Sequence, residues 1–379
     1  MGHAEDKQNV AFRVDASREI GTGHVMRCLS LAREMTQNGF AVKFVCRAHK
    51  GHMAEEIRGH GYELSLLSVE LEPEATDDAE GESNYALWLG ATWERDAKQT
   101  ADSIPYGRLS WLIVDHYAIN ANWERKVRDI TGAKVMVIDG RATQPHECDL
   151  LLDLTYSPAG LSRWDDLIPA SCQRMVGPQF MPFRPEFSNA IQTLQRADGY
   201  IRRLFVAFGG IDKPNVTELV LNVLANLDLS DMVVDVVIAA ANTHRNRLQK
   251  KFALKTNFNL HTQPPNVAEL MVNADLAISA GGSMLLEQCF LQLPSIVVSI
   301  AANQVRPARA LHDFGAALYI GHYQEGHPGT TEKAIRDSVL MLLAEPERVS
   351  KMQTKAKELM GRPNKSVSQV LLAMADEIS

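Results

Sequence analysis

A chain of 379 residues, 45% of them hydrophobic, is long enough for two or three packed domains. The formal net charge of −7, with no basic run interleaved with aromatics, gives no electrostatic reason to expect nucleic acid. Five cysteines (Cys28, Cys46, Cys148, Cys172, Cys289) without a C-x-x-C pair argue against structural zinc and for a reducing, cytoplasmic setting.

The start MGHAEDKQN is polar and lacks the apolar core of a signal peptide, and Gly2 is not followed by an acylation motif. No apolar run approaches the ~18 residues that span a bilayer, so no membrane partner is expected.

The first predicted unit is a strand at Val10 to Val14, a polar turn from Asp15 containing Gly21 and Gly23, and then apolar residues at Val25, Cys28, Leu29, Ala32 and Met35. Spacings of three and four predict a helix that starts near Thr22 to His24 and stops before Asn38-Gly39, followed by a strand over Ala41 to Cys46. His24 then lies on the first helical turn, where unpaired N–H groups disfavour imidazolium and keep a histidine neutral and able to accept a proton. Gly21 and Gly23 would let backbone approach a ligand closely. The plainer reading is that the turn only closes a βα unit, with His24 as its cap, because G-x-G without a third glycine does not decide the matter.

Further along, Arg47 to Gly61 reads as a surface helix with incidental histidines (His49, His52, His60), since the H-E-x-x-H spacing of a metal site is missing. Val69 to Ser83, with seven acidic residues and no basic one, reads as a solvated loop, after which a helix resumes through Trp88, Leu89, Trp93 and Ala97. Apolar runs at Trp111 to Asp115, Val135 to Asp139 and Leu150 to Asp153 read as strands buried on both faces of a parallel, doubly wound sheet. Ligands of such sheets lie beyond the strand carboxyl ends, where Asp15, Asp115, His116, Tyr117 and Asp139 would cluster.

Prolines 178, 182 and 185 mark a domain junction and divide the chain into residues 9–184 and 185–379. Beyond it a second set of βα units begins. Leu204 to Phe208 runs into Gly209-Gly210, Val233 to Ala239 is a strand, and Leu276 to Ser279 runs into Ala280-Gly281-Gly282-Ser283-Met284 and a helix bearing Glu287. Ser295 to Ile300 precedes Ala301-Ala302-Asn303-Gln304. Ser283 could cap its helix, the free N–H groups there suit a diphosphate, and Glu287 one turn on could take two ribose hydroxyls. Glycines that merely let strand and helix pack are the alternative, although two such turns in one half point to a nucleotide site.

The combination R-x-D-x-S-x-x-I-G-x-G-H-x-x-R-C-L (Arg13 to Leu29), V-D-H-Y (114–117), C-D-L-L-L-D (148–153), F-G-G-x-D (208–212), S-A-G-G-S-x-x-x-E (279–287) and A-x-N-Q (301–304) resembles the UDP-sugar hydrolases of pseudaminic acid biosynthesis. Members of that family split UDP-2,4-diacetamido-2,4,6-trideoxy-β-L-altropyranose into UDP and free sugar. WLGATWERDAKQT (88–100) is also typical of it.

The resemblance implies an α/β protein of two Rossmann-like domains facing across a cleft, as in GT-B glycosyltransferases, with catalysis in the N-terminal domain and UDP in the C-terminal one. By position, His24 matches the proposed base, Tyr117 a sugar-pocket tyrosine, Asn303 an asparagine of the active cleft and Glu287 the ribose-binding acid. Asp139 is followed by Gly140 where the family usually carries a second acid.

The reading is therefore a hydrolase of a UDP-activated diacetamido-trideoxy-hexose, with His24, Asp15, Tyr117 and Asn303 as the catalytic set. Asp15 and Tyr117 would place His24 and the sugar. Gly21, Gly23, Arg27, Gly209, Gly210, Gly281, Gly282, Ser283, Met284, Glu287 and Gln304 would bind substrate. No cofactor is called for, and because no D-x-D motif occurs, helix N-termini rather than a cation would stabilise the leaving UDP. The rivals are a glycosyltransferase of the same fold and a non-enzymatic nucleotide-sugar sensor. The acidic loop argues against a lipid-facing transferase.

Overall fold

The computed structural model describes residues 8–70, 82–104, 109–196, 198–229, 231–240, 242–361 and 365–376. It divides into two compact units, one running to Pro182 and joined by the C-terminal segment from Pro363, the other spanning Phe183–Arg362.

The first unit is built from β1 (Asn9–Val14), α1 (Gly23–Gln37), β2 (Ala41–Arg47), α2 (Ala54–Gly59), β3 (Glu63–Leu67), α3 (Trp93–Asp102), β4 (Leu109–Asp115), α4 (Ala121–Thr131), β5 (Lys134–Ile138), β6 (Leu150–Asp153) and β7 (Gln173–Val176). Its seven-stranded sheet has the order β3-β2-β1-β4-β5-β6-β7, with every neighbouring pair parallel. The strand order reverses between β1 and β4, and beyond such a switch point the strand carboxyl ends open a crevice for ligands.

The continuous apolar runs are explained by burial on both faces. Ala11, Leu112, Val114, Val135 and Val137 pack with Trp123 of α4 in one core cluster. Phe12 and Phe44 stack with centroids 5.0 Å apart. Helix α1 buries Val25, Cys28, Leu29, Ala32 and Met35, the apolar face expected from its spacing, and stops at Gln37 before Asn38. Asn120 caps α4 by accepting from the Asn122 N–H at 3.1 Å, and Gly132, at φ 68°, ends it in the left-handed region.

The second unit comprises α5 (Pro185–Thr193), β8 (Arg203–Ala207), α6 (Val216–Ala225), β9 (Val233–Ile238), α7 (Arg245–Phe252), β10 (Phe258–Thr262), α8 (Val267–Asn273), β11 (Leu276–Ala280), α9 (Met284–Phe290), β12 (Ser295–Ser299), α10 (Ala302–Phe314), β13 (Leu318–His322), α11 (Pro328–Ala344) and α12 (Pro346–Met360). Its six-stranded sheet, β10-β9-β8-β11-β12-β13, reverses order between β8 and β11. Helix α6 lies between sheet and α11 and is buried nearly all round, through Val216, Leu219, Val220, Leu221, Val223 and Leu224. Burying each such side chain contributes about 1.5–3 kcal/mol.

Three expectations need correction. The last helix, α13 (Val367–Asp376), belongs with the first unit and not with residues 185–379. Ser368 donates to Glu34 of α1 at 2.6 Å and accepts from Asn38 at 3.0 Å, contacts between residues more than three hundred positions apart. The segment after β2 is helical only over α2, and His49 is buried, with its Nε2 3.8 Å from Asp15, instead of lying on a surface helix. The helix expected through Trp88 to Ala97 is two elements, a 3-10 helix at Glu82–Leu89 and α3, separated at Gly90, which has φ 65°. Within the acidic stretch, residues 71–81 lie outside the described residues, and Glu70 accepts from Arg95 and Gln99 of α3.

Candidate active site

His24 is the second residue of α1, brought to the carboxyl end of the first sheet by the Ser17 to Gly21 turn. That turn closes through the Gly21 N–H on the Ser17 carbonyl at 2.9 Å, with Gly21 at φ 80°. Its Nδ1 lies 2.6 Å from Oδ1 of Asp115, the last residue of β4. Arg27 Nη2 also stands 3.0 Å from Nδ1 and can only donate, but it already donates to Oδ1 at 2.5 Å; the shorter contact, to a carboxylate oxygen that only accepts, places the imidazole proton on Nδ1. Among the described residues Nε2 has no partner and is left with its lone pair.

Arg27, one helical turn on, donates from Nε to Oδ2 and from Nη2 to Oδ1 of Asp115, both at 2.5 Å, and Cys28 Sγ donates to Oδ2 at 3.4 Å. Burial lowers the His24 pKa below its ordinary value; Asp115 pulls it up and Arg27 pushes it down again, with a lowered net result. Burial disfavours the Asp115 charge, but Arg27 and His24 outweigh it and hold the carboxyl well below the usual range. His24 is thus neutral at neutral pH, as expected, with burial the largest cause.

Asp15 does not play the expected part of holding His24. It lies within a buried network, 2.7 Å from Arg13 Nη1, accepting from the Arg47 N–H at 2.6 Å and 3.3 Å from His116 Nε2. Burial alone would raise its pKa, but Arg13 and His116 hold it well below the ordinary carboxylate value. Arg13 extends the network to Asp96, which also accepts from Arg47 and Trp123. These charges sit between β1, β2, α3 and α4 and brace the floor beneath the turn.

Tyr117 meets the His24 ring edge-on, with centroids 4.6 Å apart at 83°. Trp88 lies nearly parallel to it at 6.0 Å, Tyr85 stands edge-on at 5.2 Å, and the Arg141 guanidinium covers it at 4.2 Å. Burial pushes the Tyr117 phenol up to about 12, so it stays protonated. Aromatic rings beside a base are surfaces on which the C–H faces of a sugar can rest. Sequence alone gives Trp88, Tyr85 and Arg141 no place in the site; the 88–100 segment reads there only as typical of the resembled family.

Asp139 pairs with Arg141 at 3.2 Å and His146 at 3.3 Å. A Cβ at Gly140 would stand 2.4 Å from Cγ2 of Thr155, so the second acid usual in the resembled family does not fit this backbone.

In the second unit, the two glycine turns differ. After β8, Gly209 has φ 77°, but the α6 start is already capped: Asp212 accepts from the Val216 and Thr217 N–H groups, each at 2.9 Å. An anion near Gly209 and Gly210 would find those donors taken by a carboxylate. After β11, Ser283 makes no side-chain cap, contrary to expectation, and among the described residues no acceptor meets the Ser283 or Met284 N–H.

Gly281 is a glycine for packing, since a Cβ there would lie 3.1 Å from both Ala308 Cβ and the Gln304 carbonyl oxygen of α10. Gly282 meets only Gln304 Nε2, at an ordinary 3.8 Å. Gln304 Oε1 accepts from the Ile300 N–H at 2.9 Å, and Asn303 is exposed on the first turn of α10. Glu287 accepts from Arg184 Nη2 at 3.2 Å; burial raises its pKa and Arg184 opposes this without reversing it. Among the described residues, no three His, Cys, Asp or Glu side chains are grouped to hold a metal, and no helix is long and apolar enough to cross a membrane.

Two parallel sheets, each with a switch point and helices on both faces, define an α/β protein of the GT-B glycosyltransferase architecture. MurG of Acinetobacter baumannii superimposes with a TM-score of 0.60 at 15% identity, over 98% of this chain and 99% of its own. LpCGTa, solved in complex with UDP, gives 0.64 at 13% identity over the same shares of the two chains. Residues 203–362 match the glycosyltransferase family 28 C-terminal domain.

The resemblance read from the motifs is borne out. The chain is 27% identical to the UDP-2,4-diacetamido-2,4,6-trideoxy-β-L-altropyranose hydrolase of Campylobacter jejuni, over 78% of this chain and 93% of the relative. It is also 27% identical to a spore coat polysaccharide biosynthesis protein of Bacillus subtilis, over 83% of this chain and 84% of that one.

Proposed function

We propose that the protein is a cytoplasmic hydrolase that splits a UDP-activated 2,4-diacetamido-2,4,6-trideoxy-hexose into free sugar and UDP, in pseudaminic acid biosynthesis. The observation that carries this reading is a neutral His24 whose Nδ1 is 2.6 Å from Asp115 and whose Nε2 has no partner among the described residues, beside the rings of Tyr117 and Trp88. A neutral imidazole with a free lone pair is a general base for water. Tyr117 and Trp88 bear on the sugar, and Asn303 contributes from α10. Of the glycine turns, Gly281 to Met284 takes the diphosphate in preference to Gly209 and Gly210, whose neighbouring helix start Asp212 already fills. Glu287, with Arg184 beside it, takes the ribose, and Gln304 braces the turn.

Water attacks the anomeric carbon in a single displacement with inversion, its proton passing to Nε2 and the C1–O bond electrons to the leaving UDP. A second displacement would need a free carboxylate nucleophile, and Asp115, the carboxylate beside His24, is taken by His24 and Arg27.

A glycosyltransferase is the second reading, favoured by the matched C-terminal domain and the architecture. Incubation with the UDP-sugar in buffer alone separates the two. Release of UDP and free sugar at an enzymatic rate is expected, whereas turnover only on addition of an acceptor alcohol would establish the transferase.

A further inference from the structure

Asp115 ends β4 in the middle of the first sheet, where parallel pairing to β1 and β5 leaves its backbone little room to move. Both carboxylate oxygens are engaged, Oδ1 by His24 Nδ1 and Arg27 Nη2, Oδ2 by Arg27 Nε and Cys28 Sγ, and its side chain is fully buried. A bidentate guanidinium prevents the carboxylate from turning, and the Tyr117 ring, edge-on with centroids 4.6 Å apart, restricts rotation of the imidazole. Resting on the hydrolase reading, we propose that Asp115 and Arg27 are positioning residues: Asp115 holds His24 in the Nδ1–H tautomer, and Arg27, whose Nη2 lies 3.0 Å from Nδ1 but is engaged by Oδ1, fixes the carboxylate, so that Nε2 is the nitrogen offered to water.

The two partners act on the base in opposite senses. When water gives its proton to Nε2 and its oxygen bonds to C1, His24 becomes imidazolium, which the Asp115 carboxylate stabilises until the proton passes to solvent. Arg27, held at the same carboxylate, keeps the resting imidazole uncharged. The groups facing His24 are Asp115 from β4, Arg27 from α1, and His116 and Tyr117 just after β4, with Cys28 of α1 on the far oxygen of Asp115.

The pH dependence of kcat/KM therefore tests the clamp. Asp115→Asn removes the attraction for imidazolium and should move the acid limb to lower pH. It should also cut kcat by about 10²-fold or more with a smaller change in KM, because an amide can donate to Nδ1 and favour the wrong tautomer. Arg27→Met removes a repelling charge and should move the acid limb to higher pH. Limbs that shift in the same direction, or not at all, would contradict the proposal.

If either variant fails to fold, ¹⁵N-histidine NMR of the wild-type protein decides, with the His24 signals assigned by their absence in His24→Asn. Protonated Nδ1 and bare Nε2 at neutral pH are expected; the Nε2–H tautomer would overturn the clamp. This spectrum needs no substrate. The expected tautomer in a protein that releases no UDP without acceptor would remove the hydrolase reading and leave the clamp, and the reverse pair of results would do the opposite.

Discussion

Asp15 and Asp115 stand at the ends of adjacent parallel strands in the first sheet, and both are buried and engaged by arginine and histidine. The corresponding strands of the second sheet, β8 and β11, run into glycine pairs instead. There one helix start is filled by Asp212, and at the other no acceptor among the described residues meets the Ser283 and Met284 N–H groups. On the proposed reading the same topology serves two uses. Buried, opposed charges fix one imidazole for proton transfer, while open backbone donors suit a ligand that brings its own negative charge.

That contrast breaks most sharply at His24. His24→Asn preserves much of the shape but cannot take a proton at neutral pH, so kcat should fall by ~10²- to 10⁴-fold while the UDP dissociation constant, from calorimetry, stays within error. Loss of UDP binding with kcat intact would make His24 a phosphate ligand. Glu287→Ala should behave in the opposite way: a charged hydrogen bond to ribose, present in ground and transition states alike, is worth about 10- to 100-fold in UDP affinity, with little change in kcat. An unchanged dissociation constant would remove Glu287 from the nucleotide site.

Much of this contrast is legible in sequence. Periodicity places α1 to within a residue at each end, and unbroken apolar runs reveal the parallel sheets, because burial on both faces removes polar residues from strands. What sequence does not carry is the choice of partner. Asp15 and Asp115 look equivalent along the chain, and only the fold puts Asp115, 91 residues from His24, within hydrogen-bond reach. For the same reason the docking of α13 on α1 and the pairing of Arg184 with Glu287 were not foreseen. Gly140 could be read only as a departure until Thr155 was seen in the space a side chain would need.

Smaller effects sharpen the comparison. Asp212→Ala removes the acceptor for two N–H groups at the α6 start and should cost about 0.5–2 kcal/mol in chemical denaturation. If β8–α6 is closed to anions, UDP affinity should hold or tighten slightly; a marked loss would return Gly209 and Gly210 to the binding turn.

The smallest expected effect belongs to the first unit. Burial alone would lower the His146 pKa, but Glu124 at 2.6 Å and Asp139 override it and raise it to about 9. A raised folded-state pKa contributes stability that is complete below the unfolded value of about 6.5 and lost as pH rises through about 9. Tm should therefore decline across that window, and Glu124→Gln should flatten the decline. Identical slopes in the two proteins would exclude His146 as its source.

The central claim, that His24 directs water to the anomeric carbon and not to phosphorus, is tested most directly by hydrolysis of the UDP-sugar in ¹⁸O-water, with products collected before the free sugar exchanges its anomeric oxygen with solvent. The account predicts label in the anomeric hydroxyl and unlabelled UDP; label in the β-phosphate of UDP would contradict it.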